Sequence, residues 1–313
     1  MVFLHFTSGM ALAQQSKNTP ILGVEGNISQ VKRYPASIDK IYTNPIIEKR
    51  ISARSAVIME ETGGRLLFAK APDDPRQPAS TIKVLTGMIA LKSMTGEESV
   101  PVSKEAASRP SSKMYLDTAK QYRADELISA VLLASSNDAS VALAEMLGGT
   151  EEEFANYMTL LAEYWGATNT VCKTATGLTA KGQTSTARDL AIIFREAMRN
   201  PEFAEKMKKR SMKTDEGRTL YNHNKALWQI PGTTGGKTGY TLKARQTYVG
   251  KFTRGDSTII VAVMGSETMW YDIKYLVNYG FKQYQYISPS PESIPPALDL
   301  LVDNDVPTET QNQ

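Results

Sequence analysis

The stretch that decides the fold is PASTIKVLTGMIAL, residues 78–91. Its apolar residues cover most sides of a helix, so the pattern predicts a buried helix over residues 81–93. Ser80 and Lys83 are three positions apart, which places their side chains on one helical face within hydrogen-bond reach. Burial lowers the pKa of a lysine, and a neutral Lys83 would act as a general base towards a Ser80 nucleophile. The alternative is an N-capping Ser80 with Lys83 extending to solvent.

A second polar motif, Ser135-Ser136-Asn137, interrupts the apolar segment of residues 132–149. The interruption predicts two helices that break at this motif. In a functional interpretation, the Ser135 hydroxyl relays a proton and the Asn137 amide binds a substrate amide beside Lys83. In the alternative interpretation, the motif is an ordinary helix break in which an Asn or Asp caps the second helix.

A third motif, Lys237-Thr238-Gly239, follows a glycine-rich run. A phosphate-binding P-loop would need glycine where the chain has Pro231, and a helix where residues 246–252 favour a strand. On a strand edge, Lys237 supplies positive charge and Thr238 a hydroxyl, while Gly239 lets a substrate approach the backbone. The alternative is an exposed hairpin turn.

The order of strand and helix patterns predicts an α+β fold. Residues 53–59 and 65–69 flank the turn sequence ETGG and are predicted to form a hairpin. Residues 246–252 and 257–264 are predicted as two further strands, and residues 271–283 as a closing helix. Strands near both ends with helices between them indicate one sheet built from both ends of the chain and a helical insertion.

The composition excludes several functional classes. The 313 residues hold 36 Lys and Arg against 33 Asp and Glu, and a net charge of +3 does not indicate a nucleic-acid partner. The single cysteine, Cys172, excludes an internal disulfide framework and cysteine zinc clusters. The two histidines, His5 and His223, disfavour a histidine metal site and a Ser-His-Asp hydrolase. We therefore predict neither a metal nor a cofactor.

Both ends of the chain are predicted to lie outside a single folded domain over residues 44–283. Residues 1–13 resemble the end of a secretory signal peptide, and residues 14–43 are a polar arm or linker. Residues 284–313 hold five acidic residues, five prolines and no Lys or Arg, which predicts a disordered tail. That tail has no basic amphipathic pattern, so no C-terminal membrane anchor is expected.

The three motifs, in this order, are those of class A β-lactamases and penicillin-binding proteins. Over about residues 44–283 the chain resembles the serine D-alanyl-D-alanine carboxypeptidases, the low-molecular-weight penicillin-binding proteins. The resemblance implies a β-lactamase/transpeptidase-like fold, in which an antiparallel sheet is flanked by helices and carries an inserted all-helical lobe. Further segments that carry it are GLTAKGQTSTARDLA (177–191), NHNKALW (222–228), GGKTGYT (235–241) and VNYGF (277–281).

The resemblance also implies a catalytic role for five residues. Ser80 would attack the carbonyl between the two terminal D-alanines of a peptidoglycan stem peptide, and Lys83 would accept its proton. Ser135 would pass a proton to the leaving D-alanine while Lys237 holds the local charge. Asn137 would bind the amide side of the peptide. Water would then hydrolyse the acyl-enzyme, and penicillins would leave a slowly hydrolysed one.

The substrate contacts implied by the resemblance lie on the third motif. They are Thr238, Gly239 and Tyr240, and the backbone N–H groups of Tyr240 and Ser80 would form the oxyanion hole. One such donor is typically worth roughly 2.7–4 kcal/mol of the reaction barrier.

The chain departs from the family pattern where the substrate carboxylate is bound. Many relatives have an arginine about ten residues before the aromatic of the Y-G-F block, and counting back from Tyr279 gives Met269. The chain also has Ala244-Arg245 where the family has Ala-Gly. We therefore treat Arg245 as a candidate replacement for the missing cation, the alternative being a solvent-facing arginine on a strand.

Three other functions fit the same motifs. A D,D-endopeptidase would use the same groups on peptidoglycan cross-links. A class A β-lactamase would need a glutamate that activates the deacylating water, and residues 177–191 contain no Glu. A non-catalytic module would sense penicillin or bind the wall. The expected partners are stem peptides and, as inhibitors, β-lactams, and the location of peptidoglycan predicts an extracytoplasmic protein.

Overall fold

A computed structural model describes residues 43–287 of the chain. The predicted signal-peptide remnant, almost all of the predicted arm and most of the predicted acidic tail lie outside the described residues. The proposed division of the chain into domains therefore stays a prediction.

One antiparallel sheet of five strands dominates the described chain, with the strand order β2-β1-β9-β8-β7. Two small hairpins, β3-β4 and β5-β6, accompany it. Within residues 43–287 the strands are β1 (Ser55–Glu60), β2 (Leu66–Lys70), β3 (Ser99–Pro101), β4 (Gln121–Arg123), β5 (Ser211–Lys213), β6 (Thr219–Tyr221), β7 (Thr233–Thr241), β8 (Arg245–Arg254) and β9 (Ser257–Ser266).

The helices fall mainly between β2 and β7, and they form the predicted helical insertion. Within the described residues they are α1 (Pro45–Arg50), α2 (Lys83–Ser93), α3 (Lys104–Ser108), α4 (Ala124–Leu133), α5 (Asn137–Gly148), α6 (Glu151–Tyr164), α7 (Ala187–Ala197), α8 (Pro201–Lys208), α9 (Ala226–Gln229) and α10 (Met269–Ile287). A 3₁₀ turn, Ala79–Ile82, precedes α2. The α+β fold with an antiparallel sheet and a helical insertion is thus confirmed.

The central sheet is buried on both faces, and β9 shows why. Ile260 and Ala262 belong to the core that the helical insertion forms, whereas Val261 and Val263 belong to a second core that contains Ile273 of α10. Successive side chains of a strand point to opposite faces, so a strand apolar at every position is covered on both sides. Since β7 is an edge strand of this sheet, the backbone groups along one of its edges do not pair with another strand of the sheet.

Two predicted helices have different boundaries in the structure. The helix predicted from residue 81 starts as the 3₁₀ turn and becomes α-helical only at Lys83. The closing helix runs from Met269 to Ile287, longer than the predicted 271–283. It begins early because the Asp272 N–H already donates to the Thr268 carbonyl at 3.0 Å. The short strands β3 to β6 were not predicted, since three residues carry no clear periodicity.

Candidate active site

Ser80 lies in the 3₁₀ turn that leads into α2. The preceding Ala79 is fully buried and has φ +51°, an uncommon conformation for a residue with a side chain. A Cβ placed on Gly177 would lie 2.0 Å from the Ala79 carbonyl oxygen. A Cβ on Gly239 of β7 would lie 2.7 Å from the Ser80 nitrogen. The turn that carries the candidate nucleophile is therefore held between two glycines from distant parts of the chain.

Lys83 is the first residue of α2 and is 0% exposed, so the alternative in which it extends to solvent is wrong. Its Nζ lies 3.0 Å from Ser80 Oγ, 2.7 Å from Asn137 Oδ1 and 2.5 Å from the Thr176 carbonyl oxygen. Burial and, secondarily, the charge of Lys237 lower the pKa of Lys83 well below its usual range. The shift favours the neutral amine, whose lone pair would be directed to Ser80.

Lys237 and Ser135 join the sheet to the helical insertion. Lys237 lies in the middle of β7 and is 1% exposed, so the alternative of an exposed hairpin turn is wrong. Its Nζ donates to Ser135 Oγ at 2.8 Å and to the Thr238 carbonyl at 3.2 Å. Ser135, between α4 and α5, has φ +61°. Burial lowers the pKa of Lys237 to about 7, which leaves this group poised to hold or release a proton.

Asn137 starts α5 and links the site to the loop before β4. Its Oδ1 accepts from Lys83, and its Nδ2 donates to the Pro110 carbonyl at 2.8 Å. Its backbone N–H donates to the Ser112 carbonyl at 2.7 Å. One N–H and one lone pair of the amide remain for a substrate, because a primary amide has two donors and two acceptor positions.

The three candidate substrate-binding residues follow one another on β7. Thr238, Gly239 and Tyr240 pair with β8 on one side only, because β7 is the edge strand. Tyr240 is 56% exposed. Thr247 of β8 donates its hydroxyl to the Pro78 carbonyl at 2.9 Å, which fixes the chain before Ser80 against this part of the sheet. The edge of β7 thus lies beside the candidate nucleophile.

Comparisons with known proteins agree with this geometry. A family model described as D-alanyl-D-alanine carboxypeptidase matches residues 44–268. The D-alanyl-D-alanine carboxypeptidase DacB2 of Mycobacterium tuberculosis is 35% identical over 240 residues, 73% of this chain and 82% of that protein. The chain belongs to the D-alanyl-D-alanine carboxypeptidase family. As a member of this family it is a serine-type hydrolase.

Two further relatives of this D-alanyl-D-alanine carboxypeptidase family member are a longer protein and a penicillin-binding protein solved with a bound β-lactam. The chain matches DacF of Bacillus subtilis at 30% identity over 74% of its own residues but only 63% of that relative. A solved structure of penicillin-binding protein D2 from Listeria monocytogenes, in its ampicillin-bound form, superposes with a TM-score of 0.68. It is 27% identical, and the match covers 74% of this chain and 98% of that one.

Arg245, the candidate replacement for the missing cation, is already paired. Its Nε lies 2.9 Å from Glu267 Oε1, and its Nη2 lies 2.5 Å from Glu267 Oε2. At Met269, the side chain is buried and the backbone N–H donates to Gln246 Oε1 at 2.9 Å. A carboxylate that approached Arg245 would compete with Glu267, so its role in substrate binding remains a hypothesis.

Sequence reasoning missed two residues that hold the site together. The Thr176 carbonyl accepts from Lys83, and Gly177 gives space to Ala79. A backbone carbonyl has no residue-specific signal, so Thr176 was not predictable. Gly177 is the first residue of GLTAKGQTSTARDLA, one of the segments that carry the resemblance, and its place there was the only indication in the sequence that it contributes to the site.

The described part of the chain offers little support for other kinds of site. Within residues 43–287, no group of three His, Cys, Asp or Glu side chains is arranged to hold a metal ion. The same part of the chain has no helix with the length and apolar character needed to cross a bilayer. Cys172 is buried, and burial raises the pKa of its thiol to about 12, so the thiol is not a nucleophile.

Proposed function

We propose that the chain removes the terminal D-alanine of peptidoglycan stem peptides through an acyl-enzyme on Ser80, and that it acts outside the cytoplasm, where this substrate lies. One observation carries the proposal: the Nζ of the fully buried Lys83 contacts the Ser80 hydroxyl and two other oxygens. A neutral amine has two N–H donors and one lone pair. The donors are taken by Asn137 Oδ1 and the Thr176 carbonyl, so the lone pair is directed to the Ser80 proton.

Acylation then follows from these positions. Lys83 accepts the proton of Ser80 as Ser80 Oγ forms a bond to the carbonyl carbon of the penultimate D-alanine. The developing oxyanion is bound by the backbone N–H groups of Ser80 and Tyr240. Ser80 is early in its 3₁₀ turn, where N–H groups have no partner inside the helix.

The leaving D-alanine needs a proton on its amine. Ser135 supplies it, a role supported by the hydrogen bond that its hydroxyl accepts from Lys237 Nζ at 2.8 Å. As Ser135 donates to the leaving amine, Lys237 replaces that proton and becomes neutral, a change that a pKa of about 7 favours. Before deacylation, the proton that Lys83 took from Ser80 returns Lys237 to its charged form. Lys83 then accepts a proton from the water that attacks the acyl carbonyl and passes it to Ser80 Oγ as the acyl bond breaks, which releases the shortened stem peptide and restores the free enzyme.

The edge strand gives the substrate a direction. Because the leaving D-alanine lies at Ser135 and Lys237, the acyl arm of the stem peptide runs along β7 towards Tyr240 and Thr241. An extended peptide can add to an exposed strand edge through main-chain hydrogen bonds. β-Lactams would enter by the same route and acylate Ser80.

Deacylation of a β-lactam is expected to be slow. The two acids whose charges act on Lys83, Glu151 and Asp138, are both committed elsewhere. Glu151 is paired with Arg109 at 2.6 Å, and Asp138 accepts two backbone N–H groups of the 114–116 loop. Within residues 43–287, no carboxylate hydrogen-bonds to Ser80 or Lys83, in contrast to the water-activating glutamate of class A β-lactamases.

The test uses a fluorescent penicillin and a D-Ala-D-Ala peptide. We expect stable labelling of the wild type, no labelling of Ser80→Ala, and a fall of at least about 100-fold in peptide turnover for Ser135→Ala, since general acid catalysis contributes that much. The neighbouring Ser136→Ala is the matched control and should keep both activities. Release of the label within seconds would favour a β-lactamase instead.

A digest of cross-linked peptidoglycan distinguishes the remaining alternatives. Loss of one alanine residue per stem, read by mass spectrometry, supports the carboxypeptidase. Cleaved cross-links with intact terminal D-alanines would support an endopeptidase. Labelling by penicillin with no change in the digest would support a non-catalytic penicillin-sensing module and contradict the proposal.

A further inference from the structure

A cavity of about 250 Å³ lies beyond the end of β7, outside the catalytic groups described above. Three of its lining residues are cationic: Arg54, Arg76 and Lys243. Lys243 follows β7 in the turn to β8, and Arg54 immediately precedes β1. No acidic residue lines the cavity. A concave site with basic side chains and no acid favours an anionic ligand.

The charges around the cavity leave two cations available. Arg76 is held in place, since its Nε donates to Ser55 Oγ at 2.7 Å and a terminal nitrogen pairs with Asp74 at 3.1 Å. In contrast, among residues 43–287 neither Arg54 nor Lys243 forms an ion pair.

One acid outside the cavity lining, Glu267, interacts with the charge of Arg54. The charge of Arg54 contributes to the lowered pKa of Glu267, but that carboxylate is already bound by Arg245 at 2.5 and 2.9 Å. The pair neutralises itself, so it leaves the positive charge of Arg54 largely unbalanced. An incoming carboxylate therefore meets two cations without displacing an internal ion pair.

The walls of the cavity are fixed by the fold. The side-chain amide of Gln77 donates to the carbonyls of Ala180 and Gln183 at 3.1 and 2.7 Å. A Cβ on Gly265 would lie 3.0–3.1 Å from three carbons of the Arg54 side chain, so the absence of a side chain there lets the stem of Arg54 lie against the backbone. A site with a fixed shape loses little entropy on binding.

The cavity lies on the expected path of the substrate. Under the proposed function, the acyl arm leaves Ser80 along β7 towards Thr241, and Lys243 is two residues further on. Gln77 of the cavity wall precedes Ser80 by three residues, so their Cα atoms are at most about 10 Å apart. The second and third residues of a stem peptide reach roughly 7–11 Å from the scissile carbonyl. A side group from either residue can therefore arrive at the cavity.

We propose that this cavity is a subsite for a carboxylate on the acyl arm of the stem peptide, bound by Arg54 and Lys243. The proposal rests on the proposed function and adds substrate selection to it. The carboxylate has two possible sources: the free α-carboxylate of a γ-linked D-glutamate at the second residue, or that of a diaminopimelate at the third. Either would be bound in the ground state and the transition state alike, so it would lower KM more than it changes kcat.

The experiment compares matched pentapeptide substrates that end in D-Ala-D-Ala. One pair differs only in a carboxylate or carboxamide at the second residue, and the other pair only at the diaminopimelate. We expect the wild type to prefer the acid member of one pair by about tenfold in kcat/KM, through KM, and the pair that responds identifies the source. The preference should shrink at 0.5 M salt, because salt screens exposed charges.

The variant Arg54→Gln/Lys243→Gln should reduce the preference to less than about twofold while penicillin labelling is unchanged. Lys274→Gln, an exposed lysine on α10, is the matched control and should keep the preference. Equal turnover of acid and amide peptides by the wild type overturns the inference and leaves the proposed function standing, whatever the variants do. Absence of D-alanine release from every peptide overturns both.

Discussion

At the scale of single residues, the candidate site holds two buried lysines. Lys83 is 0% and Lys237 1% exposed. Burial disfavours the charged form of each, and the charge of Lys237 lowers the pKa of Lys83 further. Under the proposed function, Lys83 acts as the base beside Ser80 and Lys237 as the proton carrier beside Ser135.

The buried charge of Lys237 should make stability depend on pH. Its pKa is about 7 in the folded chain against an ordinary value of 10.5, so between these values the unfolded chain binds more protons and stability rises with pH. Lys237→Met removes this group. We expect the Tm of the variant minus that of the wild type to be most positive at pH 7 and below.

The Tm of Lys237→Met minus that of the wild type should fall by at least about 2–4 °C between pH 7 and pH 10. A change of about 1 kcal/mol in the free energy of unfolding gives a shift of that size in a domain of this length. Differential scanning calorimetry at several pH values measures it. A difference that is constant across this range would contradict the assignment of a lowered pKa to Lys237.

Asn137 should tune the base through its contact with Lys83. Asn137→Asp places a negative charge 2.7 Å from Nζ, which favours the protonated amine and raises its pKa. Since Lys83 acts in its neutral form under the proposed function, the acid limb of the pH profile of penicillin acylation should move to higher pH. Asn137→Ala serves as the control, since it weakens acylation without adding charge and should leave the limb in place. An unmoved limb in the aspartate variant would exclude Lys83 as the base.

At the scale of elements, the turn before α2 is shaped by residues from elsewhere. Ala79 adopts φ +51°, and such conformations persist only where the neighbouring structure enforces them. Gly177 supplies the space on one side and Gly239 of β7 on the other. The candidate nucleophile is therefore positioned by two distant segments of the chain.

Gly177→Ala should disrupt this turn. The new Cβ would meet the Ala79 carbonyl at 2.0 Å, a backbone atom that cannot move aside as a flexible side chain can. We expect penicillin acylation to fall at least tenfold and the variant to lose about 1–3 kcal/mol of stability beyond the cost of the backbone conformation.

Gly217→Ala is the matched control for this substitution. Gly217 has φ +82° against +74° at Gly177, and nothing lies within 4 Å of its Cβ position. Gly217→Ala should lose about 1–2 kcal/mol of stability, the cost of the left-handed conformation for a residue with a side chain, and it should keep its acylation rate. Equal rates in the two variants would show that the clash is irrelevant to the site.

At the scale of the whole molecule, the site exists only where the sheet meets the helical insertion. Ser80 lies where the insertion begins, Ser135 lies within it and Lys237 lies on β7. The hydrogen bond between Lys237 and Ser135 spans 102 positions of sequence, and that between Lys83 and Asn137 spans 54. Any change in the docking of insertion and sheet would separate the two lysines from their partners.

The described part of the chain should carry the activity by itself. Residues 43–287 contain the five-stranded sheet and the two cores described above, together with all the catalytic candidates. We expect a protein of these residues to be acylated by fluorescent penicillin at a rate within about twofold of the full chain, and to gain Tm on acylation because a ligand that binds only the folded state stabilises it. Ser80→Ala should show no such gain. Loss of acylation on truncation would contradict the predicted single catalytic domain.

The sequence by itself determined the strands with strong apolar patterning, such as β9, and the three short motifs whose combination indicated the family. Local patterns suffice for these because alternation and the spacing of Ser80 and Lys83 are properties of neighbouring residues. Such patterns did not predict that α2 starts as a 3₁₀ turn or how long β7 is.

Only the tertiary structure decided which residue pairs meet and which charges are buried. It placed the Thr176 carbonyl beside Lys83 and Gly177 beside Ala79, paired Arg245 with Glu267, and excluded solvent from Lys83 and Lys237. The physical reason is that pKa and close packing depend on everything within a few ångströms of a group. Most of those neighbours come from distant positions in the chain, and some are backbone atoms that every residue shares.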